Sequence, residues 1–308
     1  PDRLSSPLIK KDGRLVAASW DEALELVAQK LAECKGDGFA LVASTRCTNE
    51  ESYLCQKFAR AVMGTNNIDS AARLCYAPSI VGLRQATGVG AMTNSIGELE
   101  GAACILAIGT NTTESHPIIG LKLRRAVRNG AKLIIVNPRE IGLCRLPNMW
   151  LRLYPGTDLA LFMGMSRVIL DEGLGDTAFV EEGCHGLEDF KRSLDSFTLG
   201  RVERITGVPR EMIARAARLY ANSKPAAVLW STGVTQHSHG TDSVLALANL
   251  AMLTGNIGKP SSGLYPLAGQ NNAQGACDMG CLPDLYPGYQ SVADPEVRNR
   301  FEAAWGVS

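Results

Sequence analysis

An α/β fold, with a largely parallel sheet covered by helices on both faces, is what the amino-acid sequence predicts. Three observations point to it. Short runs apolar on every residue suit buried strands, stretches of helical apolar spacing lie between them, and the runs stop at small hydrogen-bonding residues. With 308 residues and 45% of them apolar, the chain can bury one or two cores without covalent staples.

The elements follow in order. Ser19 with Glu22 makes a capping-box signature, and Ala23, Leu24, Leu26, Val27 and Leu31 then recur at helical spacing, so a helix is expected over 20–33. A buried strand is expected over 39–43, followed by a helix over 49–62 capped by Thr48 or Asn49. The pattern then repeats more clearly: a strand over 103–108 stops at Gly109, a helix runs over 121–128, and Asn129-Gly130 turns the chain into a strand over 132–136. Helices are expected over 158–170 and 209–220, and a buried strand over 226–230 ends at Ser231-Thr232-Gly233. From Thr254 onward glycine, proline and asparagine are dense and periodicity fades, which predicts extended loops lining a ligand.

Charge and composition bound the function. Lys plus Arg and Asp plus Glu both number 31, so no overall imbalance favours nucleic acid or an anionic membrane. The longest apolar runs, at 102–108 and 244–248, fall far short of the roughly 20 residues that span a bilayer, and no transmembrane helix is expected. Nine irregularly spaced cysteines in a chain of this size read as a reducing compartment, hence a cytoplasmic protein. The chain opens on Pro1 with neither a start methionine nor a signal segment, which reads as an excised piece.

Three strand ends finish in hydrogen-bonding groups that this topology turns toward one crevice: Gly109-Thr110-Asn111, Asn137-Pro138-Arg139 and Gly233-Val234-Thr235-Gln236. Pro155-Gly156-Thr157-Asp158 adds a turn into a helix, with free amides suited to phosphate and a carboxylate able to accept from a guanine edge. Each group alone is an ordinary strand-to-helix turn; together they point to a nucleotide. Gly88-Val89-Gly90-Ala91-Met92-Thr93 resembles half a dinucleotide fingerprint but lacks the third glycine and a preceding strand, so it is rejected as a nicotinamide site. Cys277 and Cys281 have no second ligand pair and read as buried thiols rather than a zinc site. His116 reads as locally hydrogen-bonded, whereas His237 and His239, in a polar loop after a strand, are either locally satisfied or line the crevice.

Arg73-Leu74-Cys75-Tyr76-Ala77-Pro78-Ser79, followed by Gly88 to Asn94, closely resembles the catalytic loop of formate dehydrogenase α subunits, where a cysteine or selenocysteine binds the metal. Ser115-His116-Pro117, the strand-end motifs, Leu253-Thr254-Gly255-Asn256-Ile257-Gly258-Lys259-Pro260 and Gly269-Gln270-Asn271-Asn272-Ala273-Gln274-Gly275-Ala276-Cys277-Asp278-Met279-Gly280 follow in that family's order, so the resemblance covers essentially the whole chain. It implies the molybdopterin oxidoreductase body: two Rossmann-like α/β domains with largely parallel sheets covered by helices. Residues 1–70 with 271–308 would form a discontinuous, truncated domain, and 71–270 the insert carrying the metal-ligand loop and the nucleotide-binding strand ends.

The resemblance further implies a bis(molybdopterin guanine dinucleotide) cofactor with molybdenum or tungsten, held through Cys75 as metal ligand. It places Cys75, Tyr76 and Gln270 at the reacting centre, and Arg46, Asn111, Asn137, Arg139, Gly156, Asp158, Gly233 and Gln236 on the cofactor. An iron–sulfur domain and a domain closing over the cofactor would lie outside these residues, electron-transfer subunits would be partners, and the isolated fragment would fold but carry no metal. The implied reaction is formate to carbon dioxide plus two electrons, in anaerobic metabolism.

Two departures weigh on the substrate. Tyr76 stands where the family has histidine, and tyrosine, with a reference pKa near 10, does not accept a proton at neutral pH. Ala268 stands where the family has an arginine that holds formate, a loss of about 1.5 to 3 kcal/mol unless Arg46, Arg73 or Arg84 supplies the cation. The alternatives are therefore a relative with a changed substrate, or a non-catalytic scaffold or electron-relay subunit; retention of Cys75 and of the nucleotide motifs argues against the latter.

Overall fold

The computed structural model describes residues 3–146 and 149–307. The chain divides into two compact units, one of Leu74–Gly269 and one of Pro1–Arg73 with Gln270–Ser308.

The first of these carries a five-stranded sheet. Its strands are β1 (Cys104–Ile108), β2 (Lys132–Val136), β3 (Met149–Leu151), β4 (Ala226–Trp230) and β5 (Gly263–Pro266), all parallel in the order β3-β2-β1-β4-β5. β1 and β4 are buried on every residue, as strands covered on both faces must be. On one face Leu106, Ile108, Ile134, Val136, Val228 and Trp230 join a core with α3 (Asp158–Asp171), α4 (Arg210–Asn222) and α5 (Gly240–Leu253). On the other, Ile105, Ala107, Leu133, Ile135, Ala227 and Leu229 pack with Leu123 and Ala126 of α2 (Pro117–Arg128).

Helix α1 (Ala77–Thr87) lies directly against α5, because Gly82 has no side chain to hold them apart: a Cβ there would sit 2.8 Å from Val244 Cγ1. It ends at Gly88, whose φ of +79° makes it a left-handed helix cap rather than part of a phosphate-binding turn. The helices Thr177–Gly183, Leu187–Ser193 and Leu199–Thr206 also belong to this unit and add to the elements expected from the sequence.

The expectation of extended loops from Thr254 onward is corrected. That stretch holds β5, the helix Ala273–Asp278 and the helix Pro295–Trp305. β5 is only four residues with a glycine and a proline, and Pro266 is tolerated because β5 is a sheet edge.

In the other unit Ser19 accepts from the Glu22 amide to start the helix Trp20–Ala32. The helix Asn49–Lys57 begins with a full capping box between Thr48 and Glu51, and its continuation is wound as a π-helix over Phe58–Val62. Two short strands, Leu41–Ala43 and Ile68–Ser70, pair in parallel, and two antiparallel hairpins join Leu8–Lys11 to Arg14–Ala17 and Leu285–Tyr286 to Gln290–Ser291. Cys277 and Cys281 are both buried here, and desolvation pushes both thiols up to about 12.

Candidate functional site

The strand order dictates where a ligand can enter. The chain runs β1, β2, β3 outward to one edge, then returns to lay β4 on the other side of β1, so the connections leaving β1 and β4 diverge to opposite faces. At such a switch point a crevice opens beyond the strand C-termini. Gly109 follows β1 and Gly233 lies just beyond β4, and their backbones touch: the Gly233 amide donates to the Gly109 carbonyl at 3.1 Å. A Cβ on Gly233 would come within 2.6 Å of Gly109, so only glycine allows this approach.

Above this contact is a cleft of about 450 Å³. Thr110, Asn111, Asn137, Arg139, Gly156, Asp158, Gly233, His116, His237 and Gly269 all contribute to its wall. Thr110 Oγ1 and Asn111 Oδ1 are buried with no hydrogen-bond partner, although such groups cost free energy when left unmade. Asn137 Oδ1 accepts from the Arg139 amide at 3.1 Å, which shapes the β2 end, and its carbonyl is held by Trp150 Nε1 at 2.8 Å. Gly156, at φ +78°, makes the turn into α3. Asp158, the first residue of α3, is 5% exposed, and burial pushes its carboxyl up to about 6 against the lowering effects of a backbone amide, His237 and His239.

Cys75 and Tyr76 precede α1 and are both buried. Thr235 Oγ1 donates to the Cys75 carbonyl at 2.7 Å, tying this segment to the loop that leaves β4. Gly269, in the cleft wall, is close enough that a Cβ on it would meet Cys75 Sγ at 4.0 Å. The neighbouring Ala268 carbonyl accepts from His116 Nε2 at 2.7 Å, so the histidine braces the segment beside the thiol. Among the described residues no group of three or more His, Cys, Asp and Glu side chains forms a metal site.

Not every expected residue lies in this cleft. Gln236 is exposed at the end of the short helix Thr232–Thr235, and His237 takes the wall position beside it. Arg46 and Gln270 belong to the other unit, where Arg46 is exposed and Gln270 Oε1 is buried without a partner. Arg73 forms an ion pair with Asp69. Sequence reasoning passed over Glu114, which the turn after β1 brings to the wall without any local signal. A larger groove of about 580 Å³ in the other unit is lined in part by Arg60, but that guanidinium is taken up by the carbonyls of Gly280, Leu282 and Leu285 and by Gln56 and Asn66.

The fold and cleft define a doubly wound α/β protein with a crevice at its switch point and a cysteine beside it. Comparison with known proteins places it more narrowly. Residues 3–305 match the family model for molybdopterin oxidoreductases, and the chain belongs to that family. It is 45% identical over 306 residues to the F420-dependent formate dehydrogenase 1 subunit alpha of Methanococcus maripaludis, covering 99% of this chain and 45% of that one. Formate dehydrogenase H of Escherichia coli is 47% identical over 312 residues, again 99% of this chain and 44% of the relative. The chain thus spans under half the length of these relatives. Among solved structures, acetylene hydratase from Pelobacter acetylenicus superposes with a TM-score of 0.68 at 28% identity, over 79% of this chain and 34% of the other.

Proposed function

We propose that this chain is the cofactor-binding part of a formate dehydrogenase-type oxidoreductase, whose two units are a discontinuous α/β domain and its insert. The observation that carries the reading is the cleft at the β1/β4 switch point, with unpartnered buried acceptors on Thr110 and Asn111, lying beside the segment that bears Cys75. These residues fit one guanine nucleotide arm of a molybdopterin dinucleotide. Gly109 and Gly233 let the ends of β1 and β4 close on each other beneath the cleft, the amides at the start of α3 suit a phosphate, and Asp158 would accept from the N–H edge of guanine. Asn137, Arg139 and Gly156 shape the remaining wall, while Arg46 and Gln236 are further candidates for the cofactor.

Cys75 would supply one thiolate to the metal, and no further group of His, Cys, Asp or Glu side chains among the described residues gathers to add others. When bound, the molybdenum or tungsten supplies two-electron exchange with formate or carbon dioxide. Tyr76 would offer a hydrogen bond to the reacting centre; Gln270, of the other unit, is a candidate carried by the sequence resemblance alone. An iron–sulfur cluster and electron-transfer subunits would carry the electrons away. No helix among the described residues is long and apolar enough to cross a membrane. All nine cysteines are free, which supports a cytoplasmic setting.

The test is to assay the intact catalytic subunit with formate and a viologen dye, alongside its metal and released guanine nucleotide. Turnover with stoichiometric metal and two guanine nucleotides per subunit is expected; a metal-loaded enzyme inert to formate refutes the formate assignment. A second reading, a changed substrate on the same cofactor, is favoured by Ala268, which offers no charge and whose carbonyl is already held by His116. Restoring histidine at Tyr76 and arginine at Ala268 creates formate activity if that reading is right.

A further inference from the structure

His237 in the cleft wall, and His239 which bonds the wall residue Gly156, have no part in the reading above. His237 and His239 stand on the loop between Thr232–Thr235 and α5, and each reaches a different edge of the cleft. His237 Nε2 lies 3.1 Å from the Gly233 carbonyl, and His239 Nε2 lies 2.9 Å from the Gly156 carbonyl. A carbonyl only accepts, so both rings carry their proton on Nε2. The rings are near parallel, 17° apart with centroids at 5.9 Å. His237 also lies against the second turn directly: its Nδ1 would be 3.4 Å from a Cβ placed on Gly156.

The two rings therefore form a connected path from the turn after β4 to the turn before α3, across the wall that a nucleotide would occupy. Gly156 sits at φ +78° in the turn before α3, and Gly233 lies in the helix Thr232–Thr235, which is only about one turn long. Each imidazole N–H also covers a carbonyl oxygen that would otherwise present negative density to an anionic ligand. Asp158 lies two residues beyond Gly156, so fixing the Gly156 turn fixes where that carboxylate starts along α3.

We propose that His237 and His239 are nucleotide-positioning residues: a two-ring strap that sets the spacing of the Gly233 and Gly156 turns and thereby the cleft's affinity for a purine nucleoside diphosphate. The inference rests on the nucleotide reading of the cleft given above. A strap fails when either end is cut, so its two anchors act as one unit.

The experiment uses the full chain in two arms, with the variants His237→Phe, His239→Phe, the double variant, and His239→Gln, which keeps an N–H donor. In the first arm, without ligand, amide hydrogen exchange is followed at 156–158 and 233–235. Either phenylalanine variant speeds exchange at both turns, and glutamine restores part of the protection. In the second arm, guanosine 5′-diphosphate binding is titrated. Each phenylalanine variant weakens it about fivefold, the equivalent of one hydrogen bond, and the double variant weakens it no further than the worse single one. Exchange left unchanged at both turns, or altered only at the turn whose own bond was removed, overturns the strap whatever the nucleotide does. Losses that multiply in the double variant overturn it as well. A wild-type chain with protected turns that binds no guanosine 5′-diphosphate instead overturns the nucleotide reading, and with it the strap's part in affinity.

Discussion

The strands of the five-stranded sheet and their C-terminal ends are made of the same chain a few residues apart, yet they obey opposite rules. In β1 and β4 every side chain is buried in apolar surroundings, with backbone groups paired in register from Cys104 with Ala226 to Ile108 with Trp230. Immediately beyond them, Thr110 and Asn111 hold buried polar atoms without partners, and the nearby Asp158 holds a carboxylate where its charge is disfavoured. The strand bodies are locally at rest; the strand ends keep unfavourable groups in place. That division is expected where a rigid scaffold positions groups whose partners arrive with a ligand. Substitutions in the two regions should therefore separate into effects on stability and effects on binding or activity.

The largest effect should come from Cys75→Ser in the intact enzyme. Serine occupies nearly the same volume, so the fold is retained, while loss of the thiolate nearly abolishes turnover. Normal turnover would remove Cys75 from its role. On the scaffold side, Leu106→Ala deletes a side chain from the middle of β1 at a fully buried position, and a cost of about 3 kcal/mol is expected in chemical unfolding. Nucleotide affinity of the fraction that remains folded should not change; if it falls tenfold, bodies and ends are not separable. Gly233→Ala tests the boundary between them. Its Cβ meets the Gly109 backbone, which cannot yield as a flexible side chain would, so a loss on the order of 2 kcal/mol in stability should accompany at least tenfold weaker nucleotide binding.

How much of this was legible follows from what each signal depends on. β1, β2 and β4 were readable because a strand buried on both faces must be apolar throughout, and the helix at Trp20–Ala32 because its cap is written locally in Ser19 and Glu22. Helix α5 was visible only as an apolar run, since a helix buried on nearly all sides loses the periodicity that identifies one. β5, with glycine and proline in four residues, has no strand signature, and its place comes from pairing with β4. The crevice could be anticipated from strand-end glycines and amides, because parallel topology alone brings C-terminal ends together. The contribution of His237, and the placing of Gln236 beside the wall rather than in it, depend on which way one short turn faces, and no spacing rule encodes that.

The smallest effect, and the one that reads the comparison most directly, is the pH dependence carried by Asp158. Its carboxyl is raised from 3.8 to about 6, mainly because burial disfavours the charged form. Between those values the folded chain binds a proton that the unfolded chain has released, so this group's contribution to stability falls as pH rises from about 4 to about 6. Each tenfold in proton affinity is worth about 1.4 kcal/mol, which caps the loss at about 3 kcal/mol, and water entering the cleft screens the charge and leaves it on the order of 1 to 2 kcal/mol. Other carboxylates act in the reverse sense: hydrogen bonds from Asn94 and the Ser261 and Ser95 amides hold Glu98 at about 2, so that contribution is lost as pH falls. The informative quantity is thus the difference between the wild type and Asp158→Asn. In the variant this penalty is absent, so it should be the more stable of the two at pH 7 and the gap should close below pH 4. Guanine donors favour the carboxylate, so wild-type nucleotide affinity should weaken as pH falls through about 6, whereas the variant should bind weakly at every pH. Parallel stability curves across this range would mean that Asp158 carries no buried charge, and the strand ends would then store no electrostatic cost for a ligand to relieve.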